Sequence, residues 1–135
     1  MSLLDDLNEQ QKQAVMSVDG PVLVLAGPGS GKTRVLTYRI AYLVQEMNIY
    51  PFHILAVTFT NKAAGEMKER TEQLLGGTLG GATIGTFHSI CARWLRREAE
   101  WIGLNPHYHI YDSTDQTSAM RSALKDLRIN EKSYT

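Results

Sequence analysis

The residues best suited to chemistry are Ala26-Gly27-Pro28-Gly29-Ser30-Gly31-Lys32-Thr33. They follow an apolar run, Val22-Leu23-Val24-Leu25, and they open a long amphipathic segment. Strand, glycine-rich loop, lysine–hydroxyl pair and helix make up the layout of a phosphate-binding loop. Glycines allow positive φ and bring backbone N–H groups close to phosphate oxygens. The helix N-terminus adds its partial positive charge. Lys32 can reach the β- and γ-phosphates as a point charge, and Thr33 can place its hydroxyl on Mg²⁺. These two are the catalytic candidates. Pro28 has no N–H, so it shapes the loop without donating. The strict G-x-x-x-x-G-K-[ST] pattern has glycine where this chain has Ala26; alanine fits there if the backbone is still strand-like with negative φ. The competing reading is a glycine-rich turn with a chance lysine, and the agreement of motif and flanks weighs against it.

A phosphate loop implies a nucleoside triphosphate but not its use, and three further stretches narrow that. Gln11 lies in the segment ahead of the loop. Its amide can donate to and accept from an adenine edge, or it can serve a helix cap. In Thr58-Phe59-Thr60-Asn61-Lys62-Ala63-Ala64 a strand ends on an aromatic and runs into a polar helix start. An exposed aromatic there can stack a base, while Thr60, Asn61 and helix N–H groups hold phosphates. Alternatively Phe59 is core and Asn61 is a cap. In Gly85-Thr86-Phe87-His88-Ser89 another strand end meets a helix start, with the Thr86 hydroxyl and the His88 imidazole at hand. An isolated histidine is more often structural or simply exposed.

The elements that must position these residues follow from periodicity. Leu7 to Val15 reads as a short helix, with Asn8 as N-cap and Gln11 at capping-box spacing. Asp19-Gly20-Pro21 is a turn. Val22 to Ala26, apolar on both faces, suits a central parallel strand. From Lys32 to Met47, Leu36, Ile40, Leu43, Val44 and Met47 form one helical stripe. A second buried strand is expected over His53–Phe59 and a second helix over Asn61–Leu75, with Ala64, Met67, Thr71, Leu74 and Leu75 inward. Gly76 to Gly81 reads as a flexible loop and Ala82 to Gly85 as a short strand. Thr86 caps a third helix, Phe87 to Trp101, with Phe87, Ile90, Cys91, Trp94 and Leu95 inward; Trp94 and Trp101 read as core or interface. His107 to Tyr111 alternates like a strand, and Ser113-Thr114-Asp115-Gln116 fits a capping box for a last helix to Leu127. Alternating strands and helices with such a loop predict an α/β fold with a parallel sheet. Ligands in such folds sit outside the carboxyl ends of the strands. Thr58, Phe59, Thr60 and Thr86 are therefore expected on one rim with the phosphate loop.

At 135 residues the chain is one domain or a piece of one. Fourteen basic and fourteen acidic residues cancel, so net charge gives no argument for nucleic acid or membrane. The mixed run Arg93, Arg96, Arg97, Glu98 and Glu100 reads as a solvated face. The single cysteine, Cys91, excludes an intramolecular disulfide framework and suits a reducing cytosol. No apolar run is long enough to cross a bilayer, and the N-terminus lacks the pattern of a signal peptide. A cytoplasmic location is expected.

Together, in order and spacing, these stretches resemble the UvrD/Rep-type family of superfamily 1 DNA helicases. The likeness runs from Leu7 to about Leu127. Leu7-Asn8, Gln11 and Ala14-Val15 resemble the family's Q motif. Ala26 to Thr33 followed by Arg34 resembles motif I, in which alanine at the first position is usual. Thr58 to Ala64 resembles motif Ia, and Thr86-Phe87-His88-Ser89 motif Ib. The resemblance implies that Gln11 contacts adenine, that Ala26 to Arg34 bind ATP with Thr33 on Mg²⁺, and that Phe59, Thr60, Asn61, Thr86 and His88 contact single-stranded DNA. It implies a P-loop (RecA-like) fold, with residues 1–110 as the N-terminal part of the first RecA-like domain and 111–135 as the start of an inserted helical domain. It implies an ATP-driven 3′-to-5′ translocase in DNA repair or replication, acting on single strands and single/double-strand junctions. The family's Walker B Asp-Glu pair and the later γ-phosphate arginines have no counterparts here. The chain therefore reads as part of a longer enzyme, inactive by itself. The other classes are a stand-alone nucleotide-binding module and a small P-loop kinase; the stretches at Thr58–Ala64 and Thr86–Ser89 argue against the kinase.

Overall fold

A computed structural model of the chain describes residues 3–129. The expectations for 130–135 lie outside the described residues. The order of elements is α1 (Glu9–Met16), α2 (Lys32–Gln45), a 3₁₀ turn (Pro51–His53), β1 (Leu55–Thr58), α3 (Asn61–Leu75), β2 (Thr83–Thr86), α4 (Phe87–Arg97), a second 3₁₀ turn (Ala99–Ile102) and α5 (Ser113–Asp126). The chain forms two compact units, the first ending at Trp94 and the second beginning at Leu95.

In the first unit β1 and β2 make a two-stranded parallel sheet, with Leu55 opposite Thr83 and Thr58 opposite Thr86. α3 is the crossover that parallel strands require. Thr60 caps α3 by accepting from the Ala63 N–H at 3.1 Å, so the cap is Thr60 rather than Asn61. Gly76, at φ 64°, ends that helix in the left-handed conformation that glycine adopts without penalty.

α2 is the middle of the packing. Its Val35 and Tyr38 join Leu7 and Val15 in one buried cluster. Its Ile40 joins Ile54, Met67 and Leu79 in another. Ala64, Met67 and Thr71 point inward as the periodicity of α3 predicts. The loop 76–81 is pinned at its middle: Leu79 is buried and its N–H donates to Glu72 Oε1 at 3.0 Å.

Several expectations need correction. Residues 22–26 do not form a strand. Leu23 and Leu25 are 83% and 87% exposed, because no strand of the described residues lies beside them in the sheet. His53 belongs to a 3₁₀ turn begun by Pro51, which shortens the second strand to Leu55–Thr58. The third helix stops at Arg97. On it only Ile90 is buried; Phe87, Cys91, Trp94 and Leu95 are exposed. In the second unit Trp101 is exposed too, whereas Ala99 is buried and Arg96 lies over the Tyr108 ring. Residues 107–111 form no strand. The capping box of α5 sits one residue earlier than expected: Asp112 accepts from the Asp115 N–H, and the Asp115 side chain accepts from the Asp112 N–H.

Candidate phosphate-loop and nucleic-acid site

The loop is built locally. A turn at residues 27–30 is closed by Ser30, whose N–H and Oγ both donate to the Gly27 carbonyl, at 3.3 and 2.6 Å. Gly29 and Gly31 have φ of 74° and 84°, a region that a Cβ disfavours. Gly31 is the N-cap of α2, and no side chain caps that end. By contrast Asn8, Thr60 and Asp112 spend side chains on the starts of α1, α3 and α5. The first turn of α2 therefore keeps donors for an external anion, which is how a helix N-terminus holds phosphate.

Lys32 is exposed and folds back over its own loop, donating to the carbonyls of Gly27 at 2.8 Å and Ala26 at 3.3 Å. An arriving phosphate offers this ammonium a stronger, charge-assisted partner than two neutral carbonyls. Thr33 is exposed on the same turn of helix. Among the described residues no three His, Cys, Asp or Glu side chains cluster as metal ligands. A hydroxyl plus phosphate oxygens and water suits Mg²⁺, which keeps much of its hydration. The Thr33 hydroxyl is chemically suited to such an ion if it comes with a phosphate ligand.

Gln11 serves both the helix and the loop. Its Oε1 accepts from the Asn8 N–H at 3.1 Å, completing the capping box, while its Nε2 donates to the Ser30 carbonyl at 3.2 Å. Each amide atom has further capacity, one lone pair on the oxygen and one proton on the nitrogen. A cavity of roughly 650 Å³ opens between α1, residues 22–27 and α2; Gln11, Ser30 and Lys32 line its polar part, and Val22, Val24 and Leu36 its apolar part. Arg34 points to the N-terminal segment, donating to the Asp6 carbonyl at 2.7 Å and lying over the Tyr38 ring. Sequence reasoning missed Arg39, whose Nη1 donates to the Ala14 carbonyl at 2.7 Å and so serves the end of α1. The signal was an arginine lying off the apolar stripe of α2, at a level where α1 leaves carbonyls without helical partners.

The second group of candidates lies at the ends of the paired strands. Phe59 is 90% exposed, so in this chain it is not core. Phe87 is half exposed, with its ring centroid 6.2 Å from that of Phe59. The register that sets Thr58 opposite Thr86 brings the two aromatics together. Thr60, Asn61 and His88 are exposed beside them in sequence. Thr86 is buried; its Oγ1 accepts from the Ser89 N–H, and Ser89 Oγ accepts from the Thr86 N–H. Thr86 and Ser89 thus hold each other and fix the turn that carries Phe87 and His88.

A family model described as UvrD/REP helicase N-terminal domain matches residues 7–135. The ATP-dependent DNA helicase PcrA of Bacillus subtilis is 52% identical over 132 residues, and the proteins of that name from Staphylococcus aureus and Staphylococcus epidermidis are 49% identical over 133. In each case the match covers 98% of this chain and 18% of the relative, so the chain spans under a fifth of their length. By the span of that family match, the chain belongs to the UvrD/REP helicase N-terminal domain family.

Proposed function

We propose that this chain is the ATP-binding portion of an ATP-dependent 3′-to-5′ DNA helicase or translocase that acts on single-stranded DNA and its junctions with duplex, in cytoplasmic DNA repair or replication. The observation that carries the reading is the start of α2, where a glycine loop leaves a helix N-terminus without a side-chain cap and Lys32 is exposed beside it. Ala26 to Arg34 hold the phosphates, Thr33 holds Mg²⁺, and Gln11 reads adenine with the spare capacity of its amide. Phe59 stacks a base, and Thr60, Asn61 and His88 contact the strand, on a turn that Thr86 keeps in shape.

In the same reading, residues 1–110 are the N-terminal part of a RecA-like domain and 111–135 begin an inserted helical domain. Residues 22–26 become a central strand of its P-loop sheet once further strands lie beside them. Mg²⁺ would neutralise charge on the β- and γ-phosphates. Hydrolysis also needs acids that hold the metal and orient water, and this sequence has no Asp-Glu pair at the end of an apolar run. The 135-residue chain should therefore bind nucleotide without turning it over. A phosphate-release assay with and without single-stranded DNA tests this. No release above background is expected. DNA-stimulated release that Lys32→Ala abolishes would show that the catalytic acids are present here after all.

A further inference from the structure

Gln11 ties the N-terminal helix to the phosphate loop across nineteen residues of sequence. Its two hydrogen bonds fix the orientation of its amide. Flipped, the amide would set its NH₂ against the Asn8 N–H and its oxygen against the Ser30 carbonyl. Gly31 makes room for it: a Cβ there would lie 2.9 Å from Gln11 Nε2. The gripped residue is also the one that closes the loop, since Ser30 bonds back to the Gly27 carbonyl that Lys32 shares.

The other end of this strut is anchored. Arg34 donates to the Asp6 carbonyl, the Tyr38 hydroxyl bonds Asp6 Oδ2, and Arg39 donates to the Ala14 carbonyl. The segment carrying Gln11 is thus fastened to α2 before and after it, so a force on Gln11 is a force between α1 and the loop. We propose that Gln11 is a positioning residue for the phosphate loop. Through the Ser30 carbonyl it holds the loop in its ligand-ready shape, whether or not a base is bound. This rests on the reading of the loop as a phosphate site, and it gives phosphate affinity a dependence on Gln11 that base reading alone would not.

Inorganic tripolyphosphate with Mg²⁺, which has no base to read, is the probe. It is titrated against wild type, Gln11→Ala and Gln11→Glu. Glutamate can still accept from the Asn8 N–H, keeping the capping box, but as a carboxylate it has no proton for the Ser30 carbonyl. Alanine adds no charge, so its result separates a lost grip from repulsion of phosphate. Both variants should bind about 3- to 10-fold more weakly, the worth of one neutral hydrogen bond. Hydrogen exchange in the ligand-free protein is the second measure. The Ser30 amide, which bonds the Gly27 carbonyl, should exchange faster by a similar factor in both variants, while the amides of α1 stay protected in Gln11→Glu. Unchanged loop exchange in Gln11→Ala, or unchanged tripolyphosphate affinity where wild type binds, would overturn the proposal. Should wild type not bind tripolyphosphate, the phosphate-site reading falls and exchange decides the positioning role by itself.

Discussion

Residues 22–25 and residues 55–58 are both short, apolar runs that lead toward a helix, yet they end in different states. Leu55–Thr58 pairs in register with Thr83–Thr86 and forms a strand. Val22-Leu23-Val24-Leu25 lies in no sheet and leaves two leucines more than four-fifths exposed. The difference is not propensity, since valine and leucine dominate the unpaired run. A parallel strand needs its backbone donors and acceptors met by neighbours and both faces covered. β1 finds one neighbour, and α3 covers part of it through Met67 and Leu75, packed in the cluster that includes Ala56 and Ile84. The run before the phosphate loop finds no neighbour strand among the described residues. The loop keeps its shape nonetheless, because Ser30, Gly27, Lys32 and Gln11 hold it through bonds of their own.

The comparison can be broken most forcefully at Met67, 3% exposed beneath the paired strands. Met67→Ala should cost about 2–5 kcal/mol in a denaturant melt. A cost near zero would mean that the paired region is no better built than the unpaired one. A smaller effect is expected at the end of β1. Phe59→Ala in a full-length protein of this family should weaken single-strand binding by about 1–3 kcal/mol and leave Tm nearly unchanged. A large drop in Tm would show that the ring is covered by protein there and is not free to stack. The smallest effect belongs to the unpaired run. Leu25→Ser should change the stability of this chain by no more than about 0.5 kcal/mol, as at other exposed sites. In the full-length protein, where we propose that 22–26 is a central strand, the same substitution should cost about 2–5 kcal/mol. Equal small costs in both would remove the case for that strand.

The sequence showed best what is local. The capping box at Asn8 and Gln11, the bounds of α3 and the position of the glycine loop all depend on residues within a few positions of one another; the stripe expected on α2 is shifted, with Leu36 and Met47 exposed and Val35, Tyr38 and Ala41 buried beside Ile40. What it hid depends on distant partners. Nothing near Gln11 indicates that its amide reaches Ser30, and nothing near Arg39 indicates that it serves the carbonyls of α1. Phe87 and Leu95 fall on the apolar side of a helical pattern, yet they are exposed, because apolar periodicity marks the side that seeks cover and not whether cover is present. The alternation of residues 107–111 failed for the same reason as the run at 22–25: a pattern of side chains cannot supply a neighbouring strand.

The central claim is that residues 26–33 form a working phosphate site without the paired sheet that the preceding run was expected to join. Calorimetric titration of Mg·ATP against the wild-type chain and Lys32→Ala tests it most directly. The account predicts measurable binding to wild type and a loss of about 1.5–3 kcal/mol in the variant, the worth of a hydrogen bond to a charged group. The variant should melt as wild type does, since Lys32 is exposed and bonds only its own loop. Equal affinity of the two proteins for Mg·ATP would contradict it.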